Sequence, residues 1–361
     1  MNMKLLFIIH SISGGGAEKV LVTLANEMVS QNIEVFILTD CSQEPIYSVD
    51  GRIKLVDLFE GCTSRNIWSS VPMRYNIRKV AKTISPDAII AFMSKLGCTT
   101  VIATLGLQIP VIISEHTNVS RKLGFVHSIR RRLIYPLASC VTVLTHNDYL
   151  LWKDKFSNVV RMPNPIDLMH VKPHKRNKVV LAVGRVNQWD IKGFDNLLIS
   201  WSYICHDFPE WQLCIAGAGN QDSIMYLEAI AEKYKCVNYT FLGFRKDIFN
   251  LMYESEIFCL SSRVEGLPMA LLEAMNAGCC CVSFNVPTGP NEIIKNMHSG
   301  LIADNQNTVD LADKLRAVML DDDLRRKLAS NTMQSIQKYD LPNVIRRWKI
   351  LFKKLVAKNS F

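Results

Sequence analysis

The stretch SSRVEGLPMALLEA, residues 261–274, decides the fold of this 361-residue chain. It follows the apolar run Ile257–Leu260, which is typical of a buried strand, and it contains Pro268, a residue type favoured in the first turn of a helix. A buried strand that turns directly into a helix is part of a βαβ unit, the building block of parallel sheets. The segment therefore predicts an α/β fold.

The same alternation of short apolar runs and amphipathic segments extends along the whole chain. The predicted strands are Lys4–Ile9, Glu34–Leu38, Lys54–Val56, Ala88–Ala91, Val111–Ser114, Cys140–Leu144, Val159–Met162, Val179–Val183, Gln212–Ala216, Tyr239–Leu242, Ile257–Leu260 and Cys280–Phe284. The predicted helices include Ala17–Ser30, Met73–Ile84, Leu96–Leu107, Lys192–Cys205, Ile224–Tyr234, Pro268–Asn276 and Asp310–Leu320. Repeated units of this kind predict doubly wound parallel sheets.

A proline-rich, basic segment interrupts the alternation near the middle of the chain. Pro163, Pro165 and Pro173 mark the expected hinge, and 361 residues suit two domains of ordinary size. We expect Rossmann-like domains at 1–165 and 166–340, and a helix within 341–361 that packs back on the first domain. Two such domains in tandem leave a cleft in which the carboxyl ends of both sheets face a shared ligand.

Two carboxylates stand out in the segment quoted first. Glu265 precedes the predicted helix, and Glu273 lies about two turns further on, about 12 Å away. The amides of Gly266 and Leu267 lie between them at the positive end of the helix dipole, where phosphate binds favourably. A nucleotide sugar carries a hydroxyl-bearing ring on either side of a diphosphate, so each carboxylate can bind one ring. Either glutamate alone is more typical of a helix cap or a solvated helix surface.

Cations and glycines follow other predicted strands. Arg185 lies just after the strand Val179–Val183, and Lys192 opens the next predicted helix; both can neutralise a diphosphate. Gly15 and Gly16, with Gly14, let the backbone approach a ligand closely. This loop lacks the Gly-x-Gly-x-x-Gly dinucleotide fingerprint, which argues against a nicotinamide-dependent dehydrogenase.

At these residues the chain resembles glycosyltransferase family 4, of the GT-B fold, over nearly its whole length. The matching segments are GGGAEK at 14–19, GR at 184–185, KGFD at 192–195 and the Glu-x7-Glu segment that continues to Gly278. The resemblance implies two Rossmann-like domains with a catalytic cleft between them, the first binding the acceptor and the second the donor. It also implies retention of anomeric configuration, without a metal or any other cofactor.

The resemblance assigns roles to individual residues. The first Glu of the family motif binds the donor sugar, the second binds the ribose, the Arg and Lys hold the diphosphate, and the glycine loop closes over it. The donor-binding residues so implied are Gly15, Gly16, Arg185, Lys192, Glu265, Gly266, Leu267 and Glu273. The chain departs from the family pattern at Arg185 and Lys192, the two cations expected to hold the diphosphate. Residues 187–190 lengthen the loop between them, so that they lie two positions further apart than in the family.

A second matching segment concerns the substrate. Residues 287–294, PTGPNEII, resemble the corresponding segment of bacterial members that build lipid-linked oligosaccharides or surface polysaccharides from UDP-sugars. Such members carry a His near the donor sugar, after the fifth strand of the first domain. His116 matches that position and is counted with Glu265, Arg185 and Lys192 as catalytic; Glu115 is the alternative if the register differs by one residue.

The charge distribution and the cysteines indicate the partners and the cellular compartment of the protein. The chain has a net charge of +9, and the basic stretches 61–86 and 116–147, with Trp68, Tyr75, Phe125 and Tyr135 among their aromatic residues, predict an anionic membrane surface as partner. A solvated helix face is the alternative, and no nucleic-acid motif accompanies the charge. The eleven cysteines include no Cys-x2-Cys pair, which favours a reducing compartment.

Neither a membrane span nor a metal site is expected. No apolar stretch approaches the roughly 20 residues that a span requires. The run Asp321–Asp323 is interpreted as the start of a helix, where acids are favoured by the helix dipole. We expect a cytoplasmic protein that is peripheral on the inner face of the cytoplasmic membrane.

Together these features predict a retaining, metal-independent hexosyltransferase of bacterial glycan biosynthesis. The expected donor is a UDP-sugar carrying GalNAc, Gal, GlcNAc or Glc, and the expected acceptor is a saccharide linked to polyprenyl diphosphate. A GDP-mannose-dependent mannosyltransferase and a non-catalytic sugar-nucleotide-binding subunit of the same fold remain the alternatives.

Overall fold

The computed structural model describes residues 3–61, 70–117, 124–169, 172 and 174–358. The chain divides into two compact units, Met1–Pro165 with Leu341–Phe361, and Ile166–Asp340. These divisions fall at the same positions as the expected domain boundaries. Pro173, one of the prolines assigned to the hinge, lies outside the described residues.

Among the described residues of the first unit, seven strands form one parallel sheet in the order β3-β2-β1-β4-β5-β6-β7. The strands are β1 Lys4–Ile8, β2 Glu34–Thr39, β3 Lys54–Asp57, β4 Ala88–Phe92, β5 Val111–Ser114, β6 Cys140–Val143 and β7 Val159–Arg161. The helices that connect them are α1 Gly16–Ser30, α2 Ser70–Ile84, α3 Ser94–Thr104, α4 Phe125–Ile134, which leads into a 3-10 turn at Tyr135–Leu137, and α5 His146–Lys153.

In the second unit, the described strands form a parallel sheet in the order β10-β9-β8-β11-β12-β13. They are β8 Asn177–Val183, β9 Gln212–Ala216, β10 Tyr239–Gly243, β11 Ser255–Leu260, β12 Cys280–Phe284 and β13 Leu301–Ala303. The helices are α6 Trp189–Lys192, α7 Phe194–Ser202, α8 Gln221–Lys233, α9 Ile248–Glu254, α10 Met269–Asn276, α11 Pro290–Ile293, α12 Thr308–Leu320, α13 Asp322–Ser330 and α14 Thr332–Ile336. Val186–Gln188 and Gln337–Tyr339 are 3-10 turns.

The last helix, α15 Leu341–Lys358, belongs to the first unit, where it contacts α1 and β4. Its buried side includes Trp348 and Phe352, whose rings lie 5.5 Å apart. The chain therefore returns to its first unit after completing the second, as the sequence led us to expect.

The α/β prediction is confirmed, and the predicted strands are all present with small shifts at their ends. Strand β4 is buried along its whole length, as expected for a parallel strand covered on both faces. Cys280 and Cys281 are buried in β12, where they act as small apolar residues. Strand β13 and several short helices, among them α4, α9 and α14, were not predicted.

The topology fixes where ligands bind. In the second sheet, the connections from β8 and β11 run in opposite directions along the sheet, so that the two strands flank a topological switch point. In open α/β sheets this is where the crevice for ligands forms, outside the carboxyl ends of the strands. Strands β1 and β4 hold the same position in the first sheet.

Candidate functional site

The turn that carries Glu265 connects β11 to α10 at this switch point. Pro268 has extended backbone angles and lies just before the helix, so α10 begins at Met269, one residue later than predicted. The Glu265 side chain is only 11% exposed. Glu273, predicted about two turns inside the helix, lies in the second turn and is half-buried.

Lys192 and Glu265 form an ion pair, with Nζ and Oε1 separated by 2.8 Å and side chains 24% and 11% exposed. The sequence placed these residues in one site but gave them different ligands, the diphosphate and the sugar. Their direct contact puts a cation and a carboxylate at the carboxyl ends of the neighbouring strands β8 and β11.

The backbone around Lys192 differs from the prediction. Lys192 ends the short helix α6 instead of opening the next one, because Gly193 adopts left-handed angles, with φ 65°, and separates α6 from α7. A Cβ atom at Gly193 would lie 2.0 Å from the Ser261 carbonyl oxygen. The extra residues 187–190 are therefore folded into a 3-10 turn and α6, and Gly193 lets this insertion pack directly against the turn that carries Glu265.

A network of side chains holds the two turns together. Arg263 donates two hydrogen bonds of 2.7 Å to the Asp195 carboxylate, and its amide donates to the Ile191 carbonyl at 2.8 Å. The Ser261 hydroxyl donates to the Lys192 carbonyl at 2.9 Å. Arg263 lies in the stretch 261–274 and Asp195 in the matching segment 192–195, but neither was given a role from the sequence. Their opposite charges were the available signal. The network fixes Lys192 beside Glu265.

The segment 287–294 supports the same turn from the other side. The Thr288 hydroxyl donates to the Glu265 carbonyl at 2.5 Å. Gly289 has φ 97°, and a Cβ atom there would lie 2.5 Å from the Gly266 carbonyl oxygen. The segment thus supports the backbone at Glu265 and Gly266, two of the residues that were predicted to bind the donor.

Arg185 lies two residues after the end of β8 and is exposed. The Gly184 amide donates to the Ala216 carbonyl at 3.0 Å, and a Cβ atom at Gly217 would lie 1.8 Å from the Gly184 carbonyl oxygen. This close backbone packing places a guanidinium at the same sheet edge as the Lys192–Glu265 pair.

The glycine loop in the first unit follows β1. Gly15 lies just before α1, Gly16 is its first residue, and Gly14 has φ 134°. The Gly14 amide donates to the Glu18 carboxylate at 2.5 Å, and the Tyr47 hydroxyl lies 3.2 Å from the Gly15 carbonyl oxygen. Glu18, which was given no role from the sequence, therefore ties the glycine loop to the first turn of α1.

His116 and Glu115 follow β5 and have different environments. His116 stacks on Phe92 with ring centroids 4.7 Å apart, and its Nε2 lies 3.0 Å from the Ser114 hydroxyl. Burial lowers the pKa of His116 to about 3, so its ring is neutral at pH 7. Glu115 is 1% exposed and pairs with Arg131 at 2.7 Å. Burial raises the pKa of Glu115 while Arg131 opposes that rise.

The environment of Arg131 corrects one expectation about the basic stretches. Arg131 belongs to the basic stretch 116–147, which was expected to face an anionic membrane, but its side chain is only 10% exposed. It lies against Glu115, because a lone buried carboxylate is costly. Other residues of those stretches lie outside the described part of the chain, namely Arg65, Trp68, Arg121 and Lys122, as does the side chain of Phe125.

Two further expectations concern acids and membrane spans. The Asp321 carboxylate accepts a hydrogen bond of 2.9 Å from the Leu324 amide, so 321–323 start helix α13 as predicted. In the described residues, no group of three or more potential metal-ligating side chains is found. Across the same parts of the chain, no helix has both the length and the apolar character needed to cross a bilayer.

Comparison with known proteins identifies the family to which the chain belongs. The family model "Glycosyl transferases group 1" matches residues 167–335, and the model "Glycosyltransferase Family 4" matches residues 14–170. A Campylobacter jejuni α-1,4-N-acetyl-D-galactosaminyltransferase, named for a diphospho-undecaprenol-linked acceptor, is 27% identical, covering 96% of this chain and 97% of its own. The Erwinia amylovora amylovoran biosynthesis glycosyltransferase AmsD is 28% identical, covering 96% and 98%.

Solved structures share the fold. Sucrose-phosphate synthase from Thermosynechococcus elongatus superposes with a TM-score of 0.83 at 16% identity, covering 99% of this chain and 100% of that one. Anabaena HepE, solved with UDP and glucose, superposes with a TM-score of 0.81 at 17% identity, covering 98% and 100%. The two parallel sheets and these neighbours show the GT-B fold. The two family models, which together match residues 14–335, show that the chain belongs to glycosyltransferase family 4.

Proposed function

We propose that this glycosyltransferase is a retaining, metal-independent enzyme that moves a hexose or N-acetylhexosamine from a UDP-sugar to a saccharide linked to polyprenyl diphosphate. The observation that carries the proposal is the Lys192–Glu265 contact of 2.8 Å at the switch point of the second sheet. A cation and a carboxylate at that place suit a ligand that has both a diphosphate and sugar hydroxyls.

The proposed binding mode follows from the charges at the edge of the second sheet. Exposed Arg185 and the Lys192 ammonium take the diphosphate, assisted by the amides before α10. Lys192 has three donors, so it can keep its bond to Glu265 while it binds a phosphate oxygen. Glu265 then accepts hydrogen bonds from the sugar, and half-buried Glu273 accepts them from the ribose.

The same groups favour catalysis without a metal. Negative charge builds on the UDP leaving group as the glycosidic bond breaks, and positive groups fixed beforehand stabilise that charge. Arg185, Lys192 and the amino end of α10 supply positive charge where other transferases use a divalent cation. We propose that His116, neutral at pH 7 because burial lowers its pKa to about 3, donates or accepts a hydrogen bond at the donor sugar.

The proposed donor and acceptor rest on the relatives. The Campylobacter jejuni relatives are named as N-acetylgalactosaminyltransferases that act on diphospho-undecaprenol-linked substrates, and Anabaena HepE was solved with UDP. A polyprenyl-linked acceptor places the enzyme at the cytoplasmic face of a membrane. A GDP-mannose donor and a subunit that binds UDP without turnover are the competing outcomes.

A thermal-shift panel tests the donor assignment. We expect UDP and UDP-sugars, but not GDP or GDP-mannose, to stabilise the wild type in buffer containing EDTA, and Glu273→Ala to lose this response. Glu228→Ala, an exposed glutamate on α8, is the matched control and should respond as the wild type does. A response to GDP compounds alone would overturn the donor assignment, and binding of UDP-sugars without any turnover would favour the non-catalytic subunit.

A further inference from the structure

The net charge of the chain is concentrated in one segment of the first unit. Residues 61–147 contain eleven Lys and Arg but only two acids, Asp87 and Glu115, and so carry a net charge of +9. The rest of the chain has 31 basic and 31 acidic residues and is neutral. The whole excess of positive charge is therefore carried by less than a quarter of the sequence, a distribution that points to an anionic partner.

Three helices of this segment lie side by side in the fold. Helices α2, α3 and α4 contain no acidic residue, and α3 contacts both of the others. Of the two acids, Glu115 is buried against Arg131, and Asp87 accepts a hydrogen bond from the Lys4 amide at the amino end of the sheet. We call the outer side of α2, α3, α4 and the following 3-10 turn the basic helical face.

Apolar side chains are exposed on this face among the cations. On α2, Val71 and Tyr75 are 66% and 73% exposed, and they continue at helical spacing into exposed Lys79 and Lys82. Lys79 lies 3.7 Å from Glu60, whereas Lys82 extends the stripe. Such a combination of apolar and basic positions on one helix face is typical of helices that lie in a membrane interface.

Helix α4 and the 3-10 turn that follows it show the same pattern more strongly. Ile129, Leu133 and Leu137, four residues apart, are 41%, 66% and 58% exposed, and Arg132 beside them is exposed as well. Large apolar side chains in a row are unusual on a surface that meets only water.

The orientation of α4 is set by the buried groups beneath it. Arg131 projects inward, where its guanidinium binds Glu115 at 2.7 Å and the Ser94 hydroxyl at 3.2 Å. The Ser94 hydroxyl in turn lies 2.7 Å from the Tyr135 hydroxyl. Residues 129 and 133 lie two positions from 131 on the helix and therefore on its opposite side. The inward arginine thus holds the apolar row outward.

We propose that the basic helical face docks on an anionic phospholipid bilayer, with Leu133, Leu137 and Tyr75 inserted among the headgroups and Lys82 and Arg132 at the phosphates. This deepens the proposed function, since an enzyme with a polyprenyl-linked acceptor works at a membrane. The exposed apolar side chains favour a bilayer over a nucleic acid or an anionic glycan, because these offer no apolar phase.

Flotation with vesicles of phosphatidylcholine alone and with 30% phosphatidylglycerol tests the proposal. We expect the full chain to bind the anionic vesicles only, and Lys82→Gln with Arg132→Gln to weaken that binding about thirtyfold. Lys353→Gln with Lys354→Gln removes the same charge from exposed positions on α15 and should bind as the wild type does. Leu133→Ser should weaken binding, whereas Ile350→Ser, at a position 62% exposed on α15, should not.

The outcomes separate this proposal from the proposed function. The proposal is overturned if vesicle binding falls equally in the Lys82→Gln, Arg132→Gln variant and in the Lys353→Gln, Lys354→Gln control. It is also overturned if the chain binds neutral and anionic vesicles equally well. Binding to heparin or RNA without binding to vesicles overturns it in favour of a polyanion. The UDP response in the thermal-shift assay should be unchanged in every variant, so that loss of vesicle binding with an intact UDP response leaves the transferase proposal standing.

Discussion

The Lys192–Glu265 contact is the residue-scale feature on which the donor site depends. Both side chains are largely shielded from water, so the pair is more than an exposed surface contact of small energy. Lys178 and Glu210 form such an exposed pair elsewhere in the second unit, at 3.1 Å with side chains about half exposed. The two pairs allow a direct comparison between a site lysine and a surface lysine.

Lys192→Met is expected to lower kcat/KM for the sugar donor by about a hundredfold, because a fixed cation at the leaving diphosphate is removed. Lys178→Met, which breaks the exposed pair, should leave kcat/KM unchanged. Steady-state UDP release measures both. Equal rates of UDP release for Lys192→Met and the wild type would show that Lys192 does not act on the diphosphate.

His116 makes a pH-dependent contribution to stability. Its pKa is lowered from 6.5 to about 3 in the folded chain by burial, so between these values the unfolded state binds more protons than the folded state. The free energy of unfolding therefore falls as the pH falls below about 6.5, by at most about 1.4 kcal/mol per pH unit from this group.

His116→Asn is expected to remove that part of the pH dependence. Urea unfolding of the wild type and the variant between pH 7 and pH 4.5 should show the wild type losing more stability on acidification. His206→Asn, an exposed histidine that contacts the Lys235 carbonyl at 3.0 Å, is the control and should follow the wild type. Parallel curves for all three proteins would contradict the burial of a neutral His116.

At the scale of elements, the insertion between β8 and α7 packs against the turn that carries Glu265. The contact is between the backbone of Gly193 and the Ser261 carbonyl. The insertion also stacks Trp189 on Tyr226 of α8, with ring centroids 4.3 Å apart. Residues that lengthen the family pattern are thus anchored on both sides, and Lys192 reaches Glu265 from the end of the short helix α6.

Gly193→Ala should destabilise the second unit, because Gly193 has φ 65° and an added Cβ atom would lie 2.0 Å from a carbonyl oxygen. We expect the melting temperature to fall by about 5 °C. Gly51→Ala is the control, since no atom lies within 4 Å of a Cβ atom built there. Calorimetry of both variants measures the difference, and an unchanged melting temperature for Gly193→Ala would contradict the close packing of the two turns.

The elements that the sequence predicted correctly have strong local signals. Strands such as β4 and β12 are continuous apolar runs, and Asp321 begins α13 with acids in the first turn. Strand β13, which has three residues and lies at the edge of its sheet, was not predicted. The end of α6 at Lys192 depends on the contact between Gly193 and Ser261, and the burial of Arg131 depends on Glu115. Such long-range contacts leave no local pattern in the sequence.

At the scale of the whole molecule, the excess positive charge and the proposed donor site lie in different units. The first unit carries the basic helical face, whereas the second carries the Lys192–Glu265 pair and the exposed Arg185. Substitutions on the basic helical face should therefore change vesicle binding without changing the UDP response, and substitutions at Glu273 should do the reverse.

The central claim is that the second unit supports sugar transfer from a UDP-sugar without a metal. UDP release from UDP-GalNAc, measured in EDTA with a lipid extract containing polyprenyl-diphosphate-linked saccharides, tests it most directly. We predict lipid-dependent release in EDTA by the wild type and by Glu228→Ala, and loss of release in Lys192→Met. Release that requires added Mn²⁺, or that persists at the wild-type rate in Lys192→Met, would contradict the account.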